Sequence, residues 1–201
     1  MTKSSGLGTH HIGVDPATNL LHAVRFAQSR GRPLNVAVTI NWDRLGLRDS
    51  AAISAFRSVR QKVTRSWKHL RQTRCPHIGS CEGVAVHENP AGLLNTHWMI
   101  HVPADFLDEF KRAVRKFLKK VTSVEKLGRA LHIQPAPAPG TFARYMLKGI
   151  APAYGDHFYV RSNDQGFVPG RGRTSVSRSI GRSARKNAFW QRKPKPPTVR
   201  S

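Results

Sequence analysis

Acidic residues are scarce in this sequence, where 11 Asp and Glu stand against 34 Lys and Arg and leave a formal net charge of +23. An excess of that size indicates a polyanionic partner, because each phosphate that a cation neutralises releases condensed counterions. A nucleic acid is the first candidate, and a membrane surface is the competing polyanion.

Long hydrophobic runs are missing as well. No stretch approaches the roughly 20 apolar residues of a membrane-spanning helix. The segment 1–8 also lacks the hydrophobic centre of a secretory signal. We therefore expect an intracellular, cytoplasmic protein without a membrane partner.

Cysteine is limited to Cys75 and Cys81, which flank His77. Two thiols and one imidazole could hold zinc, but structural zinc sites normally bring a second closely spaced pair of ligands. The sequence offers no such pair. An ordinary thiol-containing loop is the favoured interpretation, with zinc as the alternative.

The hydrophobic pattern predicts one α+β domain. Period-two alternation indicates strands over 34–42, 83–88, 94–102 and 131–134, and apolar residues three or four apart indicate helices over 49–71, 103–121 and 142–150. We expect an antiparallel sheet with helices packed on one face. Residues 1–30 are predicted to be a lead-in, 31–160 the folded domain, and 161–201 a basic tail that is disordered when free.

Two short motifs carry candidate chemistry. In the strand that starts at Asn95, the side chains of Asn95 and His97 point to one face while Trp98 and Ile100 point to the other. In the last predicted helix, Tyr145 and Lys148 are three residues apart, which places a phenol and an ammonium on one helical face.

In this order the motifs resemble those of the HUH endonucleases, the rolling-circle replication initiators and related single-strand nickases. The strand 35–41 is similar to the family's first motif, 95–97 to its His-hydrophobic-His strand, and 145–148 to its Tyr-x-x-Lys helix. The resemblance covers residues 33–151. The sequence departs from the family at Asn95, where the first His of the pair is expected.

The resemblance implies an HUH/RRM-like fold and metal-dependent nicking and joining of single-stranded DNA, in rolling-circle replication or the transfer of a mobile element. Mg²⁺ or Mn²⁺ would be held by His97, Glu88 and Asn95. Tyr145 would attack the phosphorus and become joined to the DNA 5′ end, and Lys148 would offset the charge on the phosphate. These roles are expectations from the family.

Other polar and aromatic residues are candidate DNA contacts because they lie on the sheet face with the motifs, on basic helix faces or in the basic tail. They are Thr39, Asn41, Arg57, Arg60, Arg65, Lys68, Arg144, Arg171, Arg173, Arg178, Arg182, Arg185 and Trp190. Two alternatives stay open. One is a non-catalytic, basic nucleic-acid-binding protein with a decayed nuclease fold, and the other is an RNA-binding accessory protein that uses the tail alone.

Overall fold

The computed structural model describes residues 8–170 and 172–191, and these residues form an α+β fold, as predicted. The helices are α1 (Val14–Ser29), α2 (Asp49–Thr73), α3 (Leu107–Thr122), α4 (Pro139–Met146), α5 (Gly155–Phe158) and α6 (Arg182–Asn187). The strands are β1 (Gly8–Thr9), β2 (Val36–Asn41), β3 (Gly83–Glu88), β4 (Asn95–Ile100), β5 (Leu131–Pro135), β6 (Val168–Pro169) and β7 (Thr174–Val176).

The main sheet has five strands in the order β5-β2-β4-β3-β7, and every neighbouring pair is antiparallel. The predicted hairpin of β3 and β4 is present, with Ala91 and Gly92 at positive φ in its turn. Since side chains alternate along each strand, the sheet has two distinct faces.

One face carries the larger core. Val38 of β2 and Trp98 of β4 are register partners on this face, and both are buried. The apolar stripes of α2 and α3 cover them, and Phe56 and Phe110 each meet Trp98 edge to face.

The opposite face is covered in part by α1 and α4, which corrects the prediction that helices pack on one face alone. Val84, Val86 and Met99 of the sheet form a second core with these two helices. The residues of α1 belong to the predicted lead-in. In the structure, α1 buries seven of its 16 residues, and an apolar stripe of that length has to be covered.

The segments at both ends are also more ordered than predicted. In the expected lead-in, Ile12 is buried and its backbone N–H donates to the carbonyl of Gly149. In the expected tail, β7 pairs with β3, and Ile180 is fully buried against α1. Backbone pairing and a few apolar side chains therefore outweigh the polar composition of this stretch. The rest of the predicted tail, 192–201, lies outside the described residues.

Helix α4 begins at Pro139, within the proline-rich run 135–140. Proline is compatible with the first turn of a helix, where its missing N–H would have no partner. Among the helices of the described segments, none is both long enough and apolar enough to cross a membrane.

Candidate active site

Three strands bring Thr39, His97 and Glu88 together on the sheet face that α1 and α4 cover only in part. Thr39 of β2 is the register partner of His97 on β4, and Glu88 of β3 is the partner of Asn95. His97 and Glu88 are therefore diagonal neighbours on one face, as the alternation of each strand predicts.

The three side chains form a hydrogen-bonded row. His97 Nδ1 lies 3.1 Å from Thr39 Oγ1, and His97 Nε2 lies 3.1 Å from Glu88 Oε2. An ionised carboxylate only accepts hydrogen bonds, so Nε2 donates to Glu88, and Nδ1 is the ring nitrogen bonded to the Thr39 hydroxyl. Thr39 and Glu88 together fix the orientation of the ring.

Tyr145 and Lys148 extend this row toward solvent. Lys148 Nζ lies 3.0 Å from Glu88 Oε2 and donates to Tyr145 Oη over 3.0 Å. The rings of Tyr145 and His97 meet edge to face with centroids 5.7 Å apart. Tyr145 is 50% exposed whereas Glu88 is 2% exposed, so the phenol stands at the open end of a group whose other members are more enclosed.

The position of Tyr145 follows from how α4 is anchored. Ala143, Met146 and Leu147 are buried in the second core, which turns the Tyr145 side of the helix toward the sheet. Helix α4 ends at Met146, so Lys148 lies in the turn that follows it. The carbonyl of Lys148 accepts from the backbone N–H of Asn163, which holds this turn.

The two central charges stabilise each other. Burial raises the pKa of Glu88, but its hydrogen bonds and charge interactions with His97 and Lys148 outweigh burial and leave the pKa below the usual value. Burial lowers the pKa of Lys148, and the bonds to Tyr145 and Glu88 outweigh that effect and leave it raised. The carboxylate and the ammonium are thus both charged at neutral pH.

The donor set fits a hard divalent cation that keeps part of its water. Among the described residues no group of three or more His, Cys, Asp and Glu side chains could hold a metal. However, Glu88 Oε1 is buried without a hydrogen-bond partner. Mg²⁺ is often bound through one or two carboxylates and several waters, so the unpartnered oxygen of this carboxylate suits it, whereas an imidazole is the more usual ligand of softer metals. Asn95 donates from Nδ2 to the Leu93 carbonyl, so its ligating atom would be Oδ1.

The predicted DNA contacts on α2 do not converge on this site. Arg57, Arg65 and Lys68 are exposed, and Arg60 donates to Ser175 Oγ over 2.7 Å. Because α2 covers the opposite face of the sheet, all four project from the layer that does not contain Tyr145.

The remaining predicted contacts differ in how available they are. Arg144, Arg178 and Arg182 are exposed. Asn41 Oδ1 already accepts a hydrogen bond from the Arg44 backbone N–H in the turn after β2. Arg171 lies outside the described residues.

Arg173, Arg185 and Trp190 have structural contacts instead of open surfaces, which corrects their prediction as DNA-binding residues. Arg173 is 2% exposed and donates to four backbone carbonyls, those of His10, His87, Gln165 and Gly166. Arg185 is also buried and donates to the Ile180 carbonyl and to Asn19.

Trp190 packs edge to face against Phe26 and His22 of α1. The composition of the predicted tail suggested a free aromatic side chain, but an apolar surface on α1 partly covers Trp190.

Sequence reasoning missed the role of Thr39 as the partner of His97, although the shared strand face was a usable signal. It also missed that Gln165 and Arg173 lie beside β3 near Glu88: the Asn89 N–H donates to the Gln165 carbonyl and the His87 N–H to that of Arg173. No periodicity marks these two positions.

The thiols show no zinc site. Cys75 and Cys81 are both free, and no cluster of three or more metal-ligating side chains occurs in 8–170 and 172–191. Burial raises the pKa of Cys81 to about 11, which opposes the thiolate that a metal would need.

A scan against protein-family models and a search of curated proteins each gave no match for this chain.

Proposed function

We propose that this protein nicks and rejoins single-stranded DNA in a metal-dependent reaction with Tyr145 as the nucleophile, as in the HUH endonucleases that its motifs resemble. The observation that carries the proposal is the unbroken row from the exposed Tyr145 hydroxyl through Lys148 to Glu88 and His97, with successive atoms 3.0 to 3.1 Å apart. An accessible phenol beside a cation is the arrangement that an attack on a phosphodiester requires.

The covalent step exchanges one ester bond for another. Tyr145 Oη forms a bond to the phosphorus and the bond from phosphorus to the 3′ oxygen breaks, which leaves a 5′-phosphotyrosine and a free 3′ hydroxyl. The phenol loses its proton to solvent and the departing 3′ oxygen takes one up. Because one phosphodiester replaces another, the reverse attack by a 3′ hydroxyl rejoins the strand.

Lys148 stabilises the reacting state. Its raised pKa keeps the ammonium charged, and its bond to Tyr145 Oη places that charge beside the atom that attacks. The same charge would offset that of the phosphate. Glu88 holds the ammonium in place from the buried side.

The metal would be bound by Glu88 and His97, with Asn95 Oδ1 as a third donor. When bound, Mg²⁺ or Mn²⁺ supplies Lewis-acid polarisation of the phosphate. His97 Nδ1 would then carry the ring proton and donate a hydrogen bond to Thr39 Oγ1, because Nε2 would present its lone pair to the metal.

Single-stranded DNA as substrate is supported by the net charge of +23 and by the exposure of Tyr145. Rolling-circle replication and the transfer of a mobile element both need a strand that is nicked first and rejoined later. These are the processes we propose for the protein.

A second candidate function is favoured by Asn95. The amide replaces an imidazole, and Nδ2 is bonded to the Leu93 carbonyl. An amide oxygen is a neutral ligand and weakens the site relative to imidazole for softer metals. A non-catalytic, basic nucleic-acid-binding protein with a decayed nuclease site would show the same departure.

The proposal is tested with end-labelled single-stranded oligonucleotides, Mg²⁺ or Mn²⁺, and denaturing gels that reveal a protein-linked product. We expect the linked product with the native chain and none with Tyr145→Phe, because only the hydroxyl is removed. Tyr154→Phe is the matched control, since Tyr154 is 43% exposed and lies outside the row.

The nickase and the non-catalytic binder predict different products on the denaturing gel. Undiminished product from Tyr145→Phe would exclude Tyr145 as the nucleophile. Salt-sensitive binding without a linked product under either metal would favour the non-catalytic binder.

A further inference from the structure

A basic groove lies on the side of the sheet away from Tyr145. It runs between α2 and the chain that follows β7, and it has a volume of about 460 Å³. We call it the α2 groove. Its lining includes Arg60, Thr64, Trp67, Lys68 and Arg71 of α2, and Arg178 on the opposite wall.

The charge of the α2 groove has one sign. Its described lining includes four cations and four hydroxyl side chains, and no Asp or Glu. Glu82 follows Cys81 in the chain, but it is fully buried and its Oε1 lies 3.2 Å from Arg30 and 3.1 Å from Arg32. The carboxylate next to the groove is therefore already neutralised by other cations.

The cations are arranged along the helix. Arg60, Thr64, Lys68 and Arg71 are three or four residues apart, so they lie on one face of α2 over a length of roughly 16 Å. Arg60 is fixed by its bond to Ser175 on β7. Arg178 adds a positive charge from the opposite wall.

The lining suits phosphates better than bases. Trp67 is the one aromatic side chain among the described lining residues, and it is 5% exposed, so it offers no open ring for stacking. Cations and hydroxyls are the groups that bind phosphate oxygens without reading sequence.

We propose that the α2 groove binds the sugar–phosphate backbone of a nucleic acid as a second contact surface, separate from the Tyr145 site. Helix α2 covers one face of the sheet and α4 the other, so a segment bound in the groove is distinct from the segment that reacts. The identity of the polyanion as a nucleic acid rests on the proposed function, but binding at the groove does not require any reaction.

The test measures binding of a fluorescent oligothymidylate by anisotropy at several salt concentrations, in protein that carries Tyr145→Phe. The groove variant combines Lys68→Ala, Arg71→Ala and Arg178→Ala. The control combines Lys116→Ala, Lys120→Ala and Arg129→Ala, three exposed cations outside the groove. Both variants lose three positive charges, and thermal melting checks that both remain folded.

We expect the groove variant to bind at least about tenfold more weakly at moderate salt and to lose about 2 from the slope of log K against log salt, at roughly 0.7 for each lost contact with a single strand. The control should change affinity less than about threefold and keep its slope. Equal losses in the two variants would overturn the proposal, because net charge alone would then explain binding.

Phosphatidylcholine vesicles with phosphatidylserine provide the competing polyanion. Binding to these vesicles that depends on the groove, without a matching effect on DNA, would also overturn the proposal. Since all binding is measured in protein that cannot form the linked product, failure here is distinguishable from failure of Tyr145 as the nucleophile.

Discussion

At the scale of single residues, the candidate site depends on one buried carboxylate. Glu88 Oε2 accepts from both His97 and Lys148, and Lys148 in turn donates to Tyr145. Each charge is therefore held by an opposite charge or by a polar group of fixed orientation, which reduces the cost of placing them in a partly buried row. Lys148 is the member that connects the buried carboxylate to the exposed phenol.

Replacing Lys148 with Met should slow formation of the DNA-linked product about 10²-fold, because removing one donor to a developing charge typically costs this much. Initial rates of product formation check this expectation. Lys148→Arg keeps the positive charge, so we expect it to lose less activity than Lys148→Met. Equal rates for Lys148→Met and the native protein would show that Lys148 takes no part in the reaction.

His87 provides a second residue-scale test, on the opposite face of the sheet. Its Nδ1 lies 2.8 Å from Thr96 Oγ1, and Trp42 Nε1 donates to the same hydroxyl. Burial, followed by the nearby Arg60, lowers the pKa of His87 to about 3. The imidazole is therefore neutral in the folded protein over most of the acidic range.

Acid should consequently destabilise the fold through His87. Below about pH 6.5 His87 is protonated in the unfolded chain, whereas in the folded chain it stays neutral down to about pH 3. The contribution of neutral His87 to the free energy of unfolding is therefore complete above pH 6.5 and is lost as the pH falls. Between pH 7 and 4.5 the loss amounts to about 2–3 kcal/mol. Urea unfolding at the two pH values should show a smaller loss for His87→Gln, and an equal loss would contradict this account.

At the scale of elements, the site depends on segments that lie far apart in the sequence. Helix α4 holds Tyr145, and the chain around it is held by Ile12, whose N–H donates to Gly149. The chain around Gln165 borders β3 on the side of Glu88. Arg173 ties these parts together, because its guanidinium donates to carbonyls of both segments and of β3.

Arg173→Met should therefore destabilise the protein by about 2–4 kcal/mol, because buried carbonyls lose their donor. The expected fall in Tm is roughly 5–15 °C for a chain of this size. Arg178→Met is the matched control, since Arg178 is exposed and the change should stay within about 0.5 kcal/mol. Similar melting temperatures for the two variants would show that Arg173 is not a structural tie.

The elements that the sequence predicted well are those with strong periodicity. Strand β3 has the predicted bounds, and α2 differs from its prediction only by two residues at its end. Alternation also placed Thr39, His97 and Glu88 on one face. The failures were α1 and the described residues 161–170 and 172–191, whose order comes from contacts with distant segments. Such contacts leave no local pattern, so composition alone suggested disorder.

At the scale of the whole molecule, the sheet separates two surfaces. One presents Tyr145 and its partners beside α4, and the other carries the cations of α2. The cations behind the net charge of +23 are therefore not confined to the candidate active site. We expect the protein to hold DNA at both surfaces, with covalent chemistry restricted to the first.

The most direct measurement of the central claim is mass spectrometry of the DNA-linked protein after digestion with protease and nuclease. The chain has three tyrosines, Tyr145, Tyr154 and Tyr159, so the attachment site can be assigned to one of them. We predict a 5′-linked nucleotide on the peptide that contains Tyr145. A nucleotide on either of the other tyrosines, or a linked product that survives Tyr145→Phe, would contradict the account.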